Sequence, residues 1–321
     1  MLSVKSNFIL SVLLAANLLI GHALADADPV HEDSPLGSFI AHKIKPGENI
    51  FRISARRLFG IQSSPARLPS AAIGSYALGC MAGGQQLPIT GDNWQVMRLS
   101  RNRNWGTPQL IHMIEKIAGQ AKANDGWNGL LVGDMAQPRG GPMLSGHASH
   151  QIGLDADIWW TPMPDHVMST KERETFVPLE MVKDHTTLSE HWSESRAKLL
   201  QSVAQNPEVA RIFVHPPIKA AMCKFATGAD KSWLAKIRPY FGHTFHFHVR
   251  MKCPDGMSSC KNQWTPKPED GTGCGKELAY WLSDAPWRHP KPNPNAPKPK
   301  PVPPLTLSGL PAQCRAVIAA P

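Results

Sequence analysis

The chain has 321 residues, and 34 Lys and Arg against 25 Asp and Glu give it a formal net charge of +9. No basic block interleaved with aromatic residues and no nucleic-acid-binding motif accompanies this charge, so we expect no nucleic-acid partner. A modestly basic chain is instead attracted to anionic polymers and membrane surfaces.

The first 25 residues have the layout of a secretory signal. Lys5 precedes an apolar run over residues 8–20, and the small-residue cleavage site Ala23-Leu-Ala25 follows it. The run is too short to span a bilayer, and no other stretch approaches a membrane span. We therefore expect a cleaved signal peptide over residues 1–25, no transmembrane anchor and a protein exported to the periplasm.

The remaining chain is divided into an N-terminal extension (26–70), one main domain (71–288) and a tail (289–321). The main domain has a length that a single hydrophobic core can serve. Thr107 caps and Pro108 opens a helix whose apolar face is formed by Leu110, Ile111, Ile114, Ile117, Ala118 and Ala121.

Further elements follow without a regular repeat. Residues 130–132 indicate a buried strand, Ser193 begins a second helix, residues 212–214 form an apolar strand, and residues 217–225 indicate a third helix. The order lacks both a βαβ repeat and a phosphate-binding glycine loop. We therefore expect an α+β fold, with helices flanking a sheet, and not a doubly wound fold.

Two separate segments, residues 147–157 and 243–248, concentrate histidine and aspartate. From residue 245 onward, apolar and polar residues alternate with a period of two. This alternation predicts a strand with His246, His248 and Arg250 on one face and Phe245, Phe247 and Val249 on the other. In the first segment, the same alternation puts Asp157 on one face of another strand, with His150 in the loop before it. Most of the ten tryptophans are expected in the core, but Trp159 has the parity of Asp157 and is the better candidate for an aromatic side chain lining the site.

Three ligands of mixed nitrogen and oxygen type, with a fourth position left to water, are typical of a catalytic zinc site. His150, Asp157 and His248 fit that count. A single histidine on a strand is more often a hydrogen-bonded polar residue than a ligand. Two clusters with several histidines and aspartates favour the metal.

Six cysteines in an exported chain favour three disulfides, although their connectivity stays open from the residues alone. A cysteine zinc site is the competing interpretation, but no C-x-x-C pair supports it. Residues 289–304 contain eight prolines and predict an extended, polyproline-like segment. This segment serves either as a spacer that carries Cys314 to its partner or as a ligand for a proline-binding protein.

Four segments, in this order, carry a resemblance to a known family: Val132-Gly-Asp-Met135, Ser145 to Asp157, Arg211-Ile-Phe-Val214 and His246-Phe-His-Val-Arg250. They resemble the penicillin-insensitive murein endopeptidases, from about Ile73 to Cys314. This family belongs to a wider group of zinc peptidases that carry the metal on a small antiparallel sheet. The resemblance implies cleavage of peptidoglycan (murein) cross-links, at D-alanyl to meso-diaminopimelyl and at diaminopimelyl to diaminopimelyl bonds.

The resemblance also implies site residues. It makes His150, Asp157 and His248 the ligands of one zinc ion and surrounds them with His147, His243 and His246, of which His147 is a further candidate ligand. The family carries an Asp and a His three positions apart that can bind a second metal. Here the matching Asp184 and His185 are adjacent, so they stand only as candidates for that second site.

The disulfides that the resemblance implies are Cys80–Cys314, Cys223–Cys274 and Cys253–Cys260. The first would tie the tail back to the start of the main domain.

The expected mechanism is metal-assisted hydrolysis, in which zinc polarises the scissile carbonyl and lowers the pKa of its water to about 7. His246 is the expected base, and His243 stabilises the oxyanion or orients the substrate. Without a G-x-S-x-G elbow, β-lactams are not expected to acylate the protein. A zinc carboxypeptidase that removes terminal D-alanine and a non-catalytic wall-binding or metal-binding protein are the alternatives, and the oligomeric state is not predicted.

Overall fold

Helices and strands are interspersed along the chain. The structure, a computed structural model, describes residues 49–288 and 301–321. In these ranges the helices are α1 (Ala55–Gly60), α2 (Pro108–Asn124), α3 (Thr170–Thr175), α4 (Glu194–Gln205), α5 (Pro216–Phe225), α6 (Lys276–Leu282) and α7 (Cys314–Ala319). The strands are β1 (Ala71–Ser75), β2 (Leu78–Ala82), β3 (Gln85–Gln86), β4 (Thr90–Gly91), β5 (Trp94–Val96), β6 (Trp105–Gly106), β7 (Leu130–Val132), β8 (Asp155–Pro162), β9 (Val209–Val214), β10 (Ile237–Pro239) and β11 (His246–Met251).

Several segments predicted from the sequence lie wholly or partly outside the described residues. The signal peptide, most of the N-terminal extension and most of the proline-rich segment lie outside the described ranges. Among the helices that are described, none is both long enough and apolar enough to cross a membrane.

Seven strands form the main sheet, in the spatial order β10-β9-β11-β8-β7-β5-β4. The α+β fold class predicted from the sequence is confirmed, but the sheet is mixed and not wholly antiparallel. Strands β5 and β7 pair in parallel, as do β9 and β10, whereas the other neighbours are antiparallel. Each parallel pair is connected through a helix, α2 or α5, and such a crossover is what brings two strands into parallel alignment.

Strands β8 and β11 are neighbours in the sheet although they are far apart in sequence. Their antiparallel register puts His248 opposite Asp157 and Arg250 opposite Asp155. Because side chains alternate along a strand, the opposite face of the two strands carries apolar residues, which are buried in the core: Ala156, Ile158, Trp160, Phe247 and Val249.

The helices cover this apolar face. Helix α2 begins as predicted, since Thr107 Oγ1 accepts a hydrogen bond from Leu110 N at 3.3 Å and Pro108 is the first helical residue. All six apolar residues predicted for its inner face are buried, and full burial of one such Leu or Ile contributes about 1.5–3 kcal/mol. Helices α4 and α5 add further buried residues. The core thus occupies one side of the sheet and leaves the other to polar groups.

A second, smaller core joins the two ends of the described chain. Leu58 and Phe59 of α1 pack with Leu310 and Val317 of the tail beside strands β1 and β2. The division of the chain at residues 70 and 288 stays a prediction, but the described parts of the extension and the tail pack together.

This second core also supports the loop that precedes β8. Arg139, at the start of that loop, is 5% exposed and its Nη1 donates to Val317 O and Ala320 O, both at 2.8 Å. Gly141 has φ 75°, and a Cβ there would lie 2.2 Å from the ring of Phe59. Only glycine permits this close approach to α1.

All six cysteines are paired. The disulfides are Cys80–Cys314, Cys223–Cys274 and Cys253–Cys260, which are the pairs that the resemblance implies. The first joins β2 to α7, and the second joins α5 to the residues just before α6.

Candidate metal centre

Two strands and one loop bring three polar side chains to one point on the polar face of the sheet. Asp157 projects from β8 and His248 from β11 directly opposite. His150 lies in the loop before β8, fully buried, with a left-handed backbone (φ 63°). Its backbone N–H donates to Asp155 Oδ2 at 3.0 Å, which fixes this unusual conformation.

One atom from each side chain forms what we call the donor triangle. His150 Nε2 lies 3.1 Å from His248 Nδ1 and 3.4 Å from Asp157 Oδ1, and the last two atoms are 3.3 Å apart. In a tetrahedral zinc site with bonds of 2.0–2.1 Å, neighbouring ligand atoms are separated by roughly 3.3 Å. The donor triangle therefore has the dimensions of one face of such a site.

The carboxylate oxygen of the donor triangle, Asp157 Oδ1, is buried and lacks a hydrogen-bond donor among the described residues. Burial opposes ionisation of Asp157, but neighbouring His150, His246 and His147 outweigh it and hold the pKa of that carboxyl well below its usual range. A buried, ionised oxygen without a donor is costly, and a cation would satisfy it.

His150 is suited to bind that cation as a neutral ligand. Burial lowers the pKa of His150 to about 4. An imidazole must be neutral to offer a lone pair to a metal. His150 therefore keeps its lone pair available at neutral pH.

Asp155 contacts two members of the donor triangle, although the sequence patterns did not mark it as a site residue. Its Oδ1 lies 3.2 Å from His248 Nε2, and its Oδ2 accepts from the backbone of His150. Arg250 donates to both oxygens, at 2.7 and 3.0 Å. Burial raises the pKa of Asp155, but Arg250 and His248 outweigh burial and keep it below the usual range. Its parity with Asp157 on β8 was the available signal.

His147 lies beside the donor triangle, and Asp134 holds its ring. His147 Nε2 is 2.9 Å from Asp134 Oδ2, and its Nδ1 is 3.6 Å from Asp157 Oδ2. Arg101 and Arg103 contact the same Asp134 oxygen at 3.1 and 2.8 Å. The charged pair of arginines keeps Asp134 ionised as an acceptor, so its contact leaves His147 Nδ1 as the lone-pair nitrogen towards the site.

His246 and His243 complete the polar surroundings. His246 is 5% exposed, and its Nε2 lies 3.7 Å from Asp157 Oδ1. His243 is partly buried with φ 59°, and its ring centroid lies 5.1 Å from that of His246 and 6.0 Å from that of His248. Its Nδ1 donates to Phe241 O at 2.7 Å, because a carbonyl oxygen can only accept. The structure thus gathers all six histidine and aspartate candidates of the first site.

Asp184 and His185 have other partners. Asp184 Oδ1 accepts from the backbone N and the hydroxyl of Thr186, at 2.8 and 2.7 Å. His185 Nε2 lies 3.6 Å from Asp284, and its ring packs on Trp287. In contrast, His147, His150 and Asp157 offer donor atoms that all lie within 4.8 Å of one another, beside His248 in the donor triangle. Asp184 and His185 thus remain only candidates for a second metal, as their adjacent spacing already indicated.

The prediction that Trp159 lines the site as an exposed aromatic residue is wrong. This residue is only 4% exposed, and it packs in a small cluster with Met97, Leu131 and Met168. Phe245 precedes β11 instead of lying on it, and its ring stands edge-on to Trp159 at 6.1 Å. Side chains from outside the sheet therefore cover the polar face beyond Asp157.

Comparison with known proteins gives one consistent result. A family model for penicillin-insensitive murein endopeptidases matches residues 72–319. The chain is 42% identical over 251 residues to the protein of that name from Haemophilus influenzae, which covers 78% of this chain and 82% of that protein. It is 40% identical over 256 residues to those from Salmonella heidelberg and Salmonella typhi, covering 78% of this chain and 88% of each relative. Every residue of the donor triangle falls inside the matched range.

Proposed function

The chain belongs to the penicillin-insensitive murein endopeptidases, and we propose that it hydrolyses the peptide cross-links of peptidoglycan with one zinc ion held by His150, Asp157 and His248. The bonds cut are the D-alanyl to meso-diaminopimelyl and the diaminopimelyl to diaminopimelyl amides.

The observation that carries the zinc proposal is the donor triangle. Two nitrogen atoms and one carboxylate oxygen stand at tetrahedral spacing, and the oxygen has no hydrogen-bond donor among the described residues. Mixed ligands with room for a fourth are the pattern of catalytic and not structural zinc. When bound, zinc supplies Lewis acidity that polarises the scissile carbonyl and acidifies water.

His246 is the proposed general base. Its Nε2 faces Asp157 Oδ1 at 3.7 Å, so it adjoins the donor triangle without belonging to it. In that position His246 takes a proton from the attacking water and returns it to the leaving amine. His147, whose ring Asp134 fixes, stands on the Asp157 side of the triangle as a further ligand candidate.

For His243, the contact with Phe241 favours one of its two predicted roles. In the neutral ring Nδ1 carries the proton, which leaves Nε2 as an acceptor. Burial and the neighbouring His246 and His248 hold the pKa of His243 well below its usual range. A neutral acceptor cannot stabilise an oxyanion. We therefore assign His243 to orienting the substrate, by accepting a hydrogen bond from an amide N–H.

Because peptidoglycan lies outside the cytoplasmic membrane, the enzyme acts outside the cytoplasm. Export to the periplasm through cleavage of residues 1–25 is the proposed route, and the stoichiometry proposed for the mature protein is one zinc per chain.

Digestion of purified murein tests the function. The endopeptidase releases monomeric muropeptides from cross-linked dimers. A carboxypeptidase would instead shorten stems by one D-alanine without opening cross-links, and a binding protein would leave the masses unchanged. Mass analysis of the fragments therefore separates the three functions, and intact dimers after complete zinc loading would overturn the proposal.

A further inference from the structure

Next to His243 lies a continuous patch of aromatic rings that the mechanism does not use. We call Tyr240, Phe241, Trp281 and Trp287 the aromatic wall. The ring of Phe241 lies 5.0 Å from that of Trp281 and 4.9 Å from that of Trp287, and Tyr240 lies 5.9 Å from Trp281. Tyr240 is 39% exposed and the other three are partly exposed, so solvent reaches the patch.

The aromatic wall adjoins the metal centre. Tyr240 lies 6.1 Å from His243, centroid to centroid, and His243 is the neighbour of both His246 and His248. Phe213 also connects the wall to the metal centre, since its ring centroid lies 5.6 Å from that of Tyr240 and 5.2 Å from that of His248. The wall therefore begins one ring away from the donor triangle.

A disulfide and an ion pair hold the segments of the aromatic wall in place. The Cys223–Cys274 disulfide fixes the residues before α6 to α5, and Arg238 of β10 pairs with Glu277 of α6 at 2.6 Å. Strand β10 leads directly into Tyr240 and Phe241, so the ion pair holds α6 beside that segment, while the disulfide ties the start of α6 to α5. Trp287 Nε1 also donates to Trp281 O at 3.0 Å. Contiguous, partly exposed rings that are fixed in this way present a preformed apolar surface, of the kind that marks binding sites.

We propose that the aromatic wall binds the murein peptide stem, and that it contacts the residues next to the cleaved amide. The inference rests on the proposed function, because it takes the donor triangle as the place of cleavage.

The length of an extended peptide favours the peptide stem, and not the glycan, as the ligand of the aromatic wall. An extended peptide advances at most about 3.3–3.6 Å per residue. A wall that starts one ring from the scissile bond therefore meets the first two or three stem residues, and the sugars lie farther along. Diaminopimelyl residues have a chain of methylene groups between polar ends. Aromatic faces match such methylene groups and the flat amides beside them.

The test is titration of zinc-loaded, full-length mature protein with two ligands that it cannot cleave: a synthetic stem peptide containing diaminopimelate, and a peptide-free murein oligosaccharide. Trp281→Ala and Trp287→Ala should each weaken stem binding roughly tenfold without changing zinc content. Trp264→Ala is the matched control, because Trp264 is 83% exposed and lies in another segment. Tyr240→Ala, which removes an exposed ring, decides the matter if either tryptophan variant fails to fold.

Unchanged stem affinity in the folded wall variants overturns the proposal, as does a loss confined to the oligosaccharide. The two proposals fail differently. If the wall variants cleave murein with an unaltered KM, the proposed role of the aromatic wall is refuted and the endopeptidase activity stands. If the protein cleaves no murein but binds the stem peptide through the aromatic wall, the endopeptidase proposal is refuted and the role of the wall stands.

Discussion

His248 Nε2 lies 3.2 Å from Asp155 Oδ1, on the edge of the imidazole opposite to the Nδ1 atom that belongs to the donor triangle. Arg250 in turn holds Asp155 through both carboxylate oxygens. A carboxylate behind a metal-binding histidine fixes the orientation of the ring and raises its basicity as a ligand. Asp155 should therefore set zinc affinity without touching the metal.

Asp155→Asn is expected to weaken zinc binding by about 10- to 100-fold. The amide keeps the shape of the side chain but loses the charge that faces His248 and Arg250. Competition with a coloured chelator measures the affinity. Asp165→Asn is the control, because the Asp165 side chain is 94% exposed. Wild-type zinc affinity in a folded Asp155→Asn protein would contradict the assigned role.

The proposed zinc ligand and the proposed base on β11 can be tested separately. His248→Ala should lose both zinc and activity, since it removes one corner of the donor triangle. His246→Ala should keep most of its zinc and lose about a hundredfold to ten-thousandfold in rate, the usual reach of general acid–base catalysis. Zinc content and turnover are measured on both variants, with His166→Ala as an exposed control. Equal loss of metal in the two variants would make His246 a ligand.

Metal removal gives the broadest test. Chelation should abolish murein cleavage and added zinc should restore it, because the proposed chemistry needs a Lewis acid beside His150 and Asp157. Penicillin should have no effect, since the chain has no G-x-S-x-G elbow to acylate. Full activity in protein shown by elemental analysis to be metal-free would refute the zinc mechanism.

The disulfides should contribute unequally to stability. Cys80–Cys314 spans 234 residues and Cys253–Cys260 spans 7, and a cross-link that closes a longer loop restricts the unfolded chain more. Native protein should show no free thiol. Replacing both members of the long pair with Ser should lower the unfolding free energy by about 2–4 kcal/mol or more, and the short pair serves as the matched control. A larger loss from the short pair would contradict the loop-length argument.

His215 should make stability depend on pH. It is 6% exposed against Trp287, and burial, together with nearby His185, lowers the pKa of His215 to about 4. The unfolded chain binds this proton below about pH 6.5, so the stability is fully present above that pH and is lost as the pH falls towards 4. The unfolding free energy should drop by about 2 kcal/mol between pH 7 and pH 5 from this group.

Urea unfolding at the two pH values checks the prediction, with His215→Phe and the exposed control His166→Phe. Comparison with wild type cancels the pH dependence of the metal ligands, which all three proteins share. The His215→Phe protein should lose less stability on acidification than the other two. The same loss in all three would remove His215 as the cause.

Local patterns assigned the candidate ligands on the strands to the correct face of the sheet, because period-two alternation decides which face a side chain occupies. On that basis His248 and Asp157 could each be assigned to the polar face of its own strand. The pairing of β8 with β11 joins residues about ninety positions apart, and no local pattern encodes the register that brings the two within 3.3 Å. His147 and Asp134 are only 13 positions apart, but neither lies on a strand of the sheet, so alternation could not predict their contact.

The aromatic residues were harder to assign. Parity correctly put Trp159 on the face of Asp157, but residues from outside the sheet, including Met168 and Phe176, cover it there. The aromatic wall was not foreseen, because its rings come from two segments that a disulfide and an ion pair bring together. Parity assigns the face of a strand and contains no information about what covers that face.

The contact of Arg139 with the carbonyl groups of Val317 and Ala320 affects the order in which parts of the protein can fold. Synthesis and export proceed from the amino terminus, so His150, Asp157 and His248 emerge before the helix that supports the loop carrying His150. Until α7 has arrived and Cys314 has joined Cys80, Arg139 lacks these acceptors and the loop lacks one of its two supports. Completion of the proposed metal centre is thereby coupled to the arrival of the last helix of the chain.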